Sequence, residues 1–124
     1  MNLFRVAVLV LRCRTRSTEE LFGQAAATPV ARRTPAQPAA TSVRRARAVQ
    51  RLLCGFHNPL RENAVVALAL RATGHPADLV VGCEPVPISG GRRLFSWLEV
   101  AGRTEGTTLP APAFYPELWR FPAS

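Results

Sequence analysis

Apolar residues recur at helical spacing through the first half of the chain and again just past its middle. The pattern predicts four helices, over residues 3–13, 18–26, 41–54 and 58–74. In the fourth, the apolar stripe is wide, because Ala67 and Leu70 extend it beyond Leu60, Val65 and Leu68. We therefore expect the fourth helix to be central and largely buried.

Helix boundaries are marked by residues that satisfy free backbone amides. Ser17 and Glu20 match a capping box, and Thr41 or Ser42 can cap the third helix. Asn58 can cap the fourth helix, with a proline at its first helical position, where proline is well tolerated. These signals place the starts of three helices.

Beyond residue 76 the pattern changes to that of strands. Residues 79–83 are continuously apolar, which predicts a strand within 77–84 that is buried on both faces. A Gly-Gly turn at 90–91 leads to a second strand over 93–100, and 103–109 is a third candidate. We expect the proline-rich tail to be irregular, with its aromatic rings lying across the sheet. The predicted class is α+β, with N-terminal helices and a central helix packed on a small antiparallel sheet.

Composition divides the 124 residues into three parts. Residues 27–40 are rich in Pro and Ala without apolar periodicity, which is typical of a flexible linker. They separate an N-terminal helical segment, 1–26, from a predicted core, 41–124. The chain is long enough for one small domain at most.

The formal charge of +8 is concentrated in residues 1–54, which hold ten Arg and two Glu. Four arginines lie on the polar side of the third helix, as a solvated face or as a docking surface for an acidic partner: Arg44, Arg45, Arg47 and Arg51. A nucleic-acid partner is disfavoured, since no recognisable module or interleaved aromatic platform accompanies the charge.

The N-terminal stretch 3–16 has an apolar run followed by arginines. The run is about half the roughly 20 residues that a spanning helix needs. It lacks the charge order of a signal peptide, whose basic residues precede the apolar run. A core or docking helix is the favoured interpretation, and an interfacial helix in contact with a membrane or a membrane protein is the alternative.

Cysteine and histidine spacing excludes the usual metal sites. The three cysteines form no C-x-x-C pair, so neither a zinc site nor a disulfide framework is expected, and the prediction is no metal and no cofactor. Cys83 and Trp97 are expected in the core, and His75 in an exposed turn. A reduced, cytoplasmic protein is predicted, with membrane association as the alternative.

Residues 58–108 resemble the small transglutaminase-like leader peptidases of lasso-peptide biosynthesis, the second half of the split B protein. In that family a Cys-Leu opens an apolar helix, a Gly-x-Pro-Ala turn and an apolar strand follow, and a His-Ala-Trp-Val-Glu strand comes last. The corresponding segments here are Pro59-Leu60, 74–77 (GHPA), 79–82 (LVVG) and 95–100 (FSWLEV). The resemblance implies a papain-like or transglutaminase-like fold.

The family's catalytic residues do not carry over. Its Cys falls at Pro59, its His at Phe95, and its acidic residue near Thr107 or Thr108. A cysteine hydrolase needs a thiolate, a base to generate it and a group that orients the base. The substitution of all three predicts a non-catalytic subunit that binds a precursor peptide, a partner enzyme or both, during maturation of a ribosomally made peptide. Dehydration, epimerisation or leader processing would then be performed with that partner.

The predicted binding groove lies between the fourth helix and the second strand. It is expected to be lined by Pro59, Leu60, Phe95 and Trp97, with Arg44 and Arg47 as further partner contacts. The alternative is an active cysteine peptidase or another peptide-modifying enzyme. It would use non-standard residues, and those considered are Cys54, His57, Cys83 and Ser96.

Overall fold

Four helices precede a four-stranded antiparallel sheet in the part of the chain that the computed structural model describes, residues 2–55, 58–83, 94–106 and 115–123. The helices are α1 (Leu3–Cys13), α2 (Thr18–Ala27), α3 (Ala39–Cys54) and α4 (Pro59–Ala72). The strands are β1 (Ala77–Cys83), β2 (Leu94–Val100), β3 (Arg103–Glu105) and β4 (Glu117–Phe121). The predicted α+β class is confirmed.

Helix α4 is the centre of the molecule. Residues 62–71 are all buried, so the helix has no solvent-facing side over nearly three turns. It packs on α1, α2 and α3 and also on β1 and β2. The wide apolar stripe in the sequence is explained by this position between a helical layer and a sheet. The prediction of a central, largely buried helix is confirmed.

Two of the predicted helix caps are present. The Asn58 side chain accepts a hydrogen bond from the Leu60 amide at 2.9 Å, and the Ser17 hydroxyl accepts one from the Glu20 amide at 3.1 Å. The predicted cap of α3 at Thr41 or Ser42 is wrong. α3 begins earlier, directly after Pro38, whose φ of −59° already suits a helix start. The Ser42 hydroxyl is therefore free for a tertiary contact.

The strand order in the sheet is β3-β2-β1-β4. β1 pairs with β2 on one side and with β4 on the other, which explains its nearly complete burial. The prediction of an irregular tail is wrong for residues 117–121, because they form β4. The outer edge of β1 needs hydrogen-bond partners for its buried amides and carbonyls, and these five residues between Pro116 and Pro122 supply them.

Parts of the strand predictions fall outside the described residues: Glu84, the Gly-Gly turn at 90–91, Arg93 and residues 107–109. Within the described part, the bounds of β1, β2 and β3 lie inside the predicted ranges.

The two faces of the sheet are different. Leu79, Leu98 and Val100 face the helices and join their core. Val80 and Trp97 are buried on the opposite face, where Tyr115 packs against them. Gly82 is required there, since a Cβ on it would lie 2.7 Å from the Trp97 ring. Trp97 is therefore buried as predicted, but in a second, smaller cluster on the face away from α4.

Arginines of α4 tie distant segments to the core through backbone carbonyls. Arg71 is completely buried. Its guanidinium donates hydrogen bonds to the carbonyls of Ala25, Thr28, Ala77 and Phe121, the last two at 2.9 Å. These contacts join the end of α2 to the start of β1 and the end of β4. Near the other end of α4, Arg61 donates to the carbonyl of Cys13 at 2.6 Å and so caps α1.

Residues 28–38 form no helix or strand, whereas residues 27, 39 and 40 of the predicted linker belong to α2 and α3. The segment crosses the end of α4, where the Ala31 amide donates a hydrogen bond to the Arg71 carbonyl at 2.9 Å. A Cβ on Gly74 would lie 2.3 Å from the Arg33 carbonyl oxygen. The backbone of this segment therefore lies in direct contact with the turn that follows α4.

Candidate functional site

The start of α4, where the resemblance places a nucleophile, is in contact with β2. Pro59 occupies the first helical position, and its carbonyl accepts a hydrogen bond from the Ser96 hydroxyl at 3.3 Å. Asn63, one turn further along α4, donates its amide to the Ser96 hydroxyl at 2.8 Å. The β2 residue that faces the start of α4 is therefore Ser96.

Phe95 and Trp97 lie on the other face of the sheet, because neighbouring side chains of a strand point to opposite faces. The Phe95 ring stacks on Tyr115, with 4.3 Å between ring centroids, and Trp97 packs on Val80. Pro59 and Leu60, at the start of α4, are separated from both aromatic rings by the sheet. The expected groove lined by these four residues is not formed, and that prediction is wrong.

A chain of polar contacts runs from α3 to β2 through two residues near the start of α4. The Glu62 carboxylate, whose side chain is 5% exposed, pairs with Arg47 at 3.3 Å and with Arg51 at 3.0 Å. Arg47 also donates to the Asn63 side-chain carbonyl at 3.0 Å, and Asn63 continues the chain to Ser96. These contacts join α3, α4 and β2 and so help to hold the fold together.

The structure also places Arg44 and Arg47, the two arginines that were predicted to contact a partner. Arg47 is half-buried and bound to Glu62 and Asn63, so its guanidinium already has intramolecular partners. Arg44 is exposed, which fits both the solvated face and the docking surface considered for α3.

The three cysteines are free thiols in different surroundings. Cys83 is buried in β1, as predicted. Cys13 and Cys54 line one small cavity of about 20 Å³ at the ends of α1 and α3. Burial raises the pKa of the Cys13 thiol, against the opposing effect of nearby Arg16 and Arg61. A raised pKa disfavours the thiolate that nucleophilic catalysis needs.

His75 is buried, with 6% of its surface exposed, so the prediction of an exposed turn residue is wrong. Its Nε2 lies 3.1 Å from the Ser42 hydroxyl on α3. Desolvation lowers the pKa of His75, opposed by a hydrogen bond with the main chain of Gln37 and by the Glu105 charge. The reason for the burial is that the start of α3 packs over the turn after α4.

The proposed replacement pair of Cys54 and His57 is not placed, since His57 lies outside the described residues. The same holds for Thr107 and Thr108. Among the residues that the structure does describe, no group of three or more His, Cys, Asp and Glu side chains is arranged to hold a metal ion.

A recess lies between α1 and α2, over the last turns of α4. It has a volume of about 490 Å³. Val8 and Leu9 of α1 form one wall, Gln24 and Thr28 the other, and Leu68 and Ala72 of α4 contribute to its lining. Three arginines also line it: Arg5, Arg12 and Arg16. We call this recess the α1–α2 groove.

The α1–α2 groove was not predicted from the sequence. A signal was nevertheless present, because Arg5 and Arg12 are seven residues apart and lie on one side of the helix, with Val8 and Leu9 between them. Phe4, which also lines the groove, is 75% exposed. The end of α1 also carries an exposed Leu11, so apolar side chains occur on more than the buried face of this helix.

Within the described ranges, none of the helices is long and apolar enough to cross a membrane. Comparison of the chain with models of protein families, with curated proteins and with solved structures gives no match. The fold itself defines an α+β protein, in which one buried helix joins three other helices to an antiparallel sheet of four strands in the described residues.

Proposed function

We propose that this chain is a non-catalytic subunit in the maturation of a ribosomally synthesised peptide, where it binds the precursor peptide, a partner enzyme or both. The proposal includes descent from the transglutaminase-like leader peptidases that residues 58–108 resemble. The chain would then have kept a helix-on-sheet scaffold after its reactive residues were replaced.

One observation carries the proposal: the contact between the start of α4 and β2 is made of structural groups. Pro59 has no nucleophilic side chain, and the Ser96 hydroxyl that faces it is bonded to the Pro59 carbonyl and the Asn63 amide. Neither partner is a base that could activate the hydroxyl at neutral pH. The described His75 is bonded to Ser42, at the opposite end of α4.

The remaining polar groups near this contact support the same conclusion. Glu62 could act as a base by residue type, but its carboxylate is held between Arg47 and Arg51. A binding role requires none of these groups to react.

The test is reconstitution with the proteins encoded by neighbouring genes. Tagged chain is co-expressed with them, captured, and analysed by mass spectrometry for bound precursor peptide or enzyme and for modified product. The proposal expects capture of at least one of these, and it fails if the wild-type chain captures neither.

Four alanine variants distinguish a scaffold from an enzyme of unfamiliar chemistry: Cys54→Ala, His57→Ala, Cys83→Ala and Ser96→Ala. We expect each folded variant to support product formation as the wild type does. Far-UV circular dichroism and partner capture control for folding and assembly. If any one variant remains folded and bound to its partner but abolishes product formation, the chain is catalytic and the proposal is wrong.

A further inference from the structure

We propose that the α1–α2 groove binds an acidic amphipathic helix of the precursor peptide. This inference rests on the proposed function and names the surface and the chemistry through which binding occurs. The groove is independent of the contact between α4 and β2, because it lies on the helical side of α4.

The shape of the groove suits a segment with apolar side chains. Its volume of about 490 Å³ is within the range of binding pockets in proteins. Leu68 and Ala72 of the central helix α4 form part of the lining. Val8 and Leu9 add an aliphatic wall, and the exposed ring of Phe4 stands at the rim. Covering these side chains would remove apolar surface from water.

The charge of the groove indicates the sign of the charge that its occupant carries. Among the described residues, the guanidinium groups of Arg5, Arg12 and Arg16 form no ion pair with a carboxylate, whereas Arg47, Arg51 and Arg120 do. Glu20 lies beyond Arg16, in the adjoining recess along α2, and leaves the groove itself basic. Carboxylates on an occupant would complement the three arginines.

The elements around the groove favour a helical occupant. Its described lining residues belong to α1, α2 and α4 and to the turns that follow α1 and α2, so none of them offers a strand edge to pair with an extended peptide. A bound peptide must then be recognised through its side chains. A helix suits this, because its backbone hydrogen bonds are made within the helix itself. Arg5 and Arg12 are two turns apart, about 10 Å along the α1 axis. On a bound helix that lies alongside α1, acidic residues seven positions apart are separated by the same distance as Arg5 and Arg12.

A membrane surface is the competing occupant, since α1 exposes Phe4 and Leu11. The groove is recessed between helices, and part of its apolar lining, Leu68 and Ala72, lies on α4 below α1. A flat bilayer surface would cover the exposed ridge of α1 and leave the recess unfilled. The observations therefore favour a peptide.

The probe is a synthetic amphipathic helix with leucines on one face and glutamates beside them, together with its counterpart in which lysines replace the glutamates. Each is titrated into the full-length, isotope-labelled chain and followed by amide chemical shifts. We expect the acidic peptide to shift the amides of Val8, Leu9, Leu68 and Ala72, and to bind more tightly than the basic peptide.

Charge reversal tests the arginines. Arg5 and Arg12 are exposed, so Arg5→Glu/Arg12→Glu is expected to fold, as circular dichroism checks. It should weaken binding of the acidic peptide at least about tenfold, since two surface ion pairs become repulsions. The control Arg32→Glu/Arg103→Glu makes the same charge change at two exposed positions outside the groove and should change binding less than about threefold.

The inference is wrong if the two peptides bind equally, if the shifts map to α3 or the sheet, or if Arg32→Glu/Arg103→Glu weakens binding as much as the groove variant. It is also wrong if vesicles of anionic phospholipid, and not the acidic peptide, bind the chain through Arg5 and Arg12. In the reconstituted system, capture that survives Arg5→Glu/Arg12→Glu overturns the groove and leaves the proposed function standing. Loss of capture by the wild-type chain overturns the proposed function instead.

Discussion

The hydroxyl of Ser42 lies 3.1 Å from Nε2 of His75, and both side chains are buried. The contact joins the first turns of α3 to the turn between α4 and β1. The main chain of Gln37, just before α3, is a further partner of the same ring. Two segments that are separate in sequence, residues 37–42 and the turn after α4, therefore meet at one imidazole.

Burial of this imidazole makes stability depend on pH. Desolvation lowers the pKa of His75 below its ordinary value of 6.5, so the unfolded chain takes up a proton first as the pH falls. The free energy of unfolding should be at its full value above pH 6.5 and should fall below it, by at most about 1.4 kcal/mol per pH unit.

Urea unfolding on either side of pH 6.5 measures this effect. His75→Gln should flatten the acid decline, and His57→Gln, which removes the other histidine, is the matched control. A decline that is abolished by the His57 substitution and kept by the His75 substitution would contradict the assignment.

Removal of the buried guanidinium of Arg71 should destabilise the fold strongly. Arg71→Met keeps much of the side-chain volume but leaves carbonyls of Ala25, Thr28, Ala77 and Phe121 without this donor. Unsatisfied buried groups cost about 1–3 kcal/mol each, and we expect a total loss of about 3–5 kcal/mol after relaxation.

Denaturant unfolding monitored by circular dichroism measures this loss in the free energy of unfolding. Arg32→Met, at an exposed position, is the control and should change stability by less than about 0.5 kcal/mol. Equal effects of the two substitutions would mean that the Arg71 bonds do not hold these segments.

Arg47 and Glu62 should be energetically coupled. Glu62 is nearly inaccessible, so its carboxylate depends on the guanidinium groups around it. A double-mutant cycle with Arg47→Ala and Glu62→Ala should give a coupling free energy of about 1–3 kcal/mol. The control cycle uses Arg120 and Glu117, a more exposed pair, and should give less than about 1 kcal/mol. A coupling near zero for the first pair would place Arg47 outside the structural network.

Two glycine substitutions should have opposite effects. Gly82→Ala places a methyl group 2.7 Å from the Trp97 ring and 2.8 Å from the Pro116 carbonyl, so we expect a loss of about 1–3 kcal/mol. Gly23 lies within α2 with no heavy atom within 4 Å of the new methyl, and Gly23→Ala should stabilise by about 0.5–1 kcal/mol.

Thermal unfolding followed by tryptophan fluorescence compares the two variants. Trp97 is buried and Trp119 is 64% exposed, so a loosened Trp97 cluster should also increase quenching by acrylamide. If Gly82→Ala is as stable as the wild type and its quenching is unchanged, the close packing of Trp97 on β1 is refuted.

The site was less predictable than the fold. Alignment by sequence assigned the β2 position that faces α4 to Phe95, whereas Ser96 occupies it. A shift of one residue along a strand moves a side chain to the opposite face. The predicted groove was lost for this reason, although the helix and the strand that were to form it are both present.

The sequence alone determined the α+β class, the bounds of α1 and the burial of α4, because helical periodicity and capping depend on residues within a few turns of one another. Tertiary structure decided the pairing of β4 with β1, the burial of His75, the face on which Phe95 and Trp97 lie, and the α1–α2 groove. Each of these depends on which distant segment supplies a hydrogen-bond partner or covers a surface, and local sequence carries little of that information.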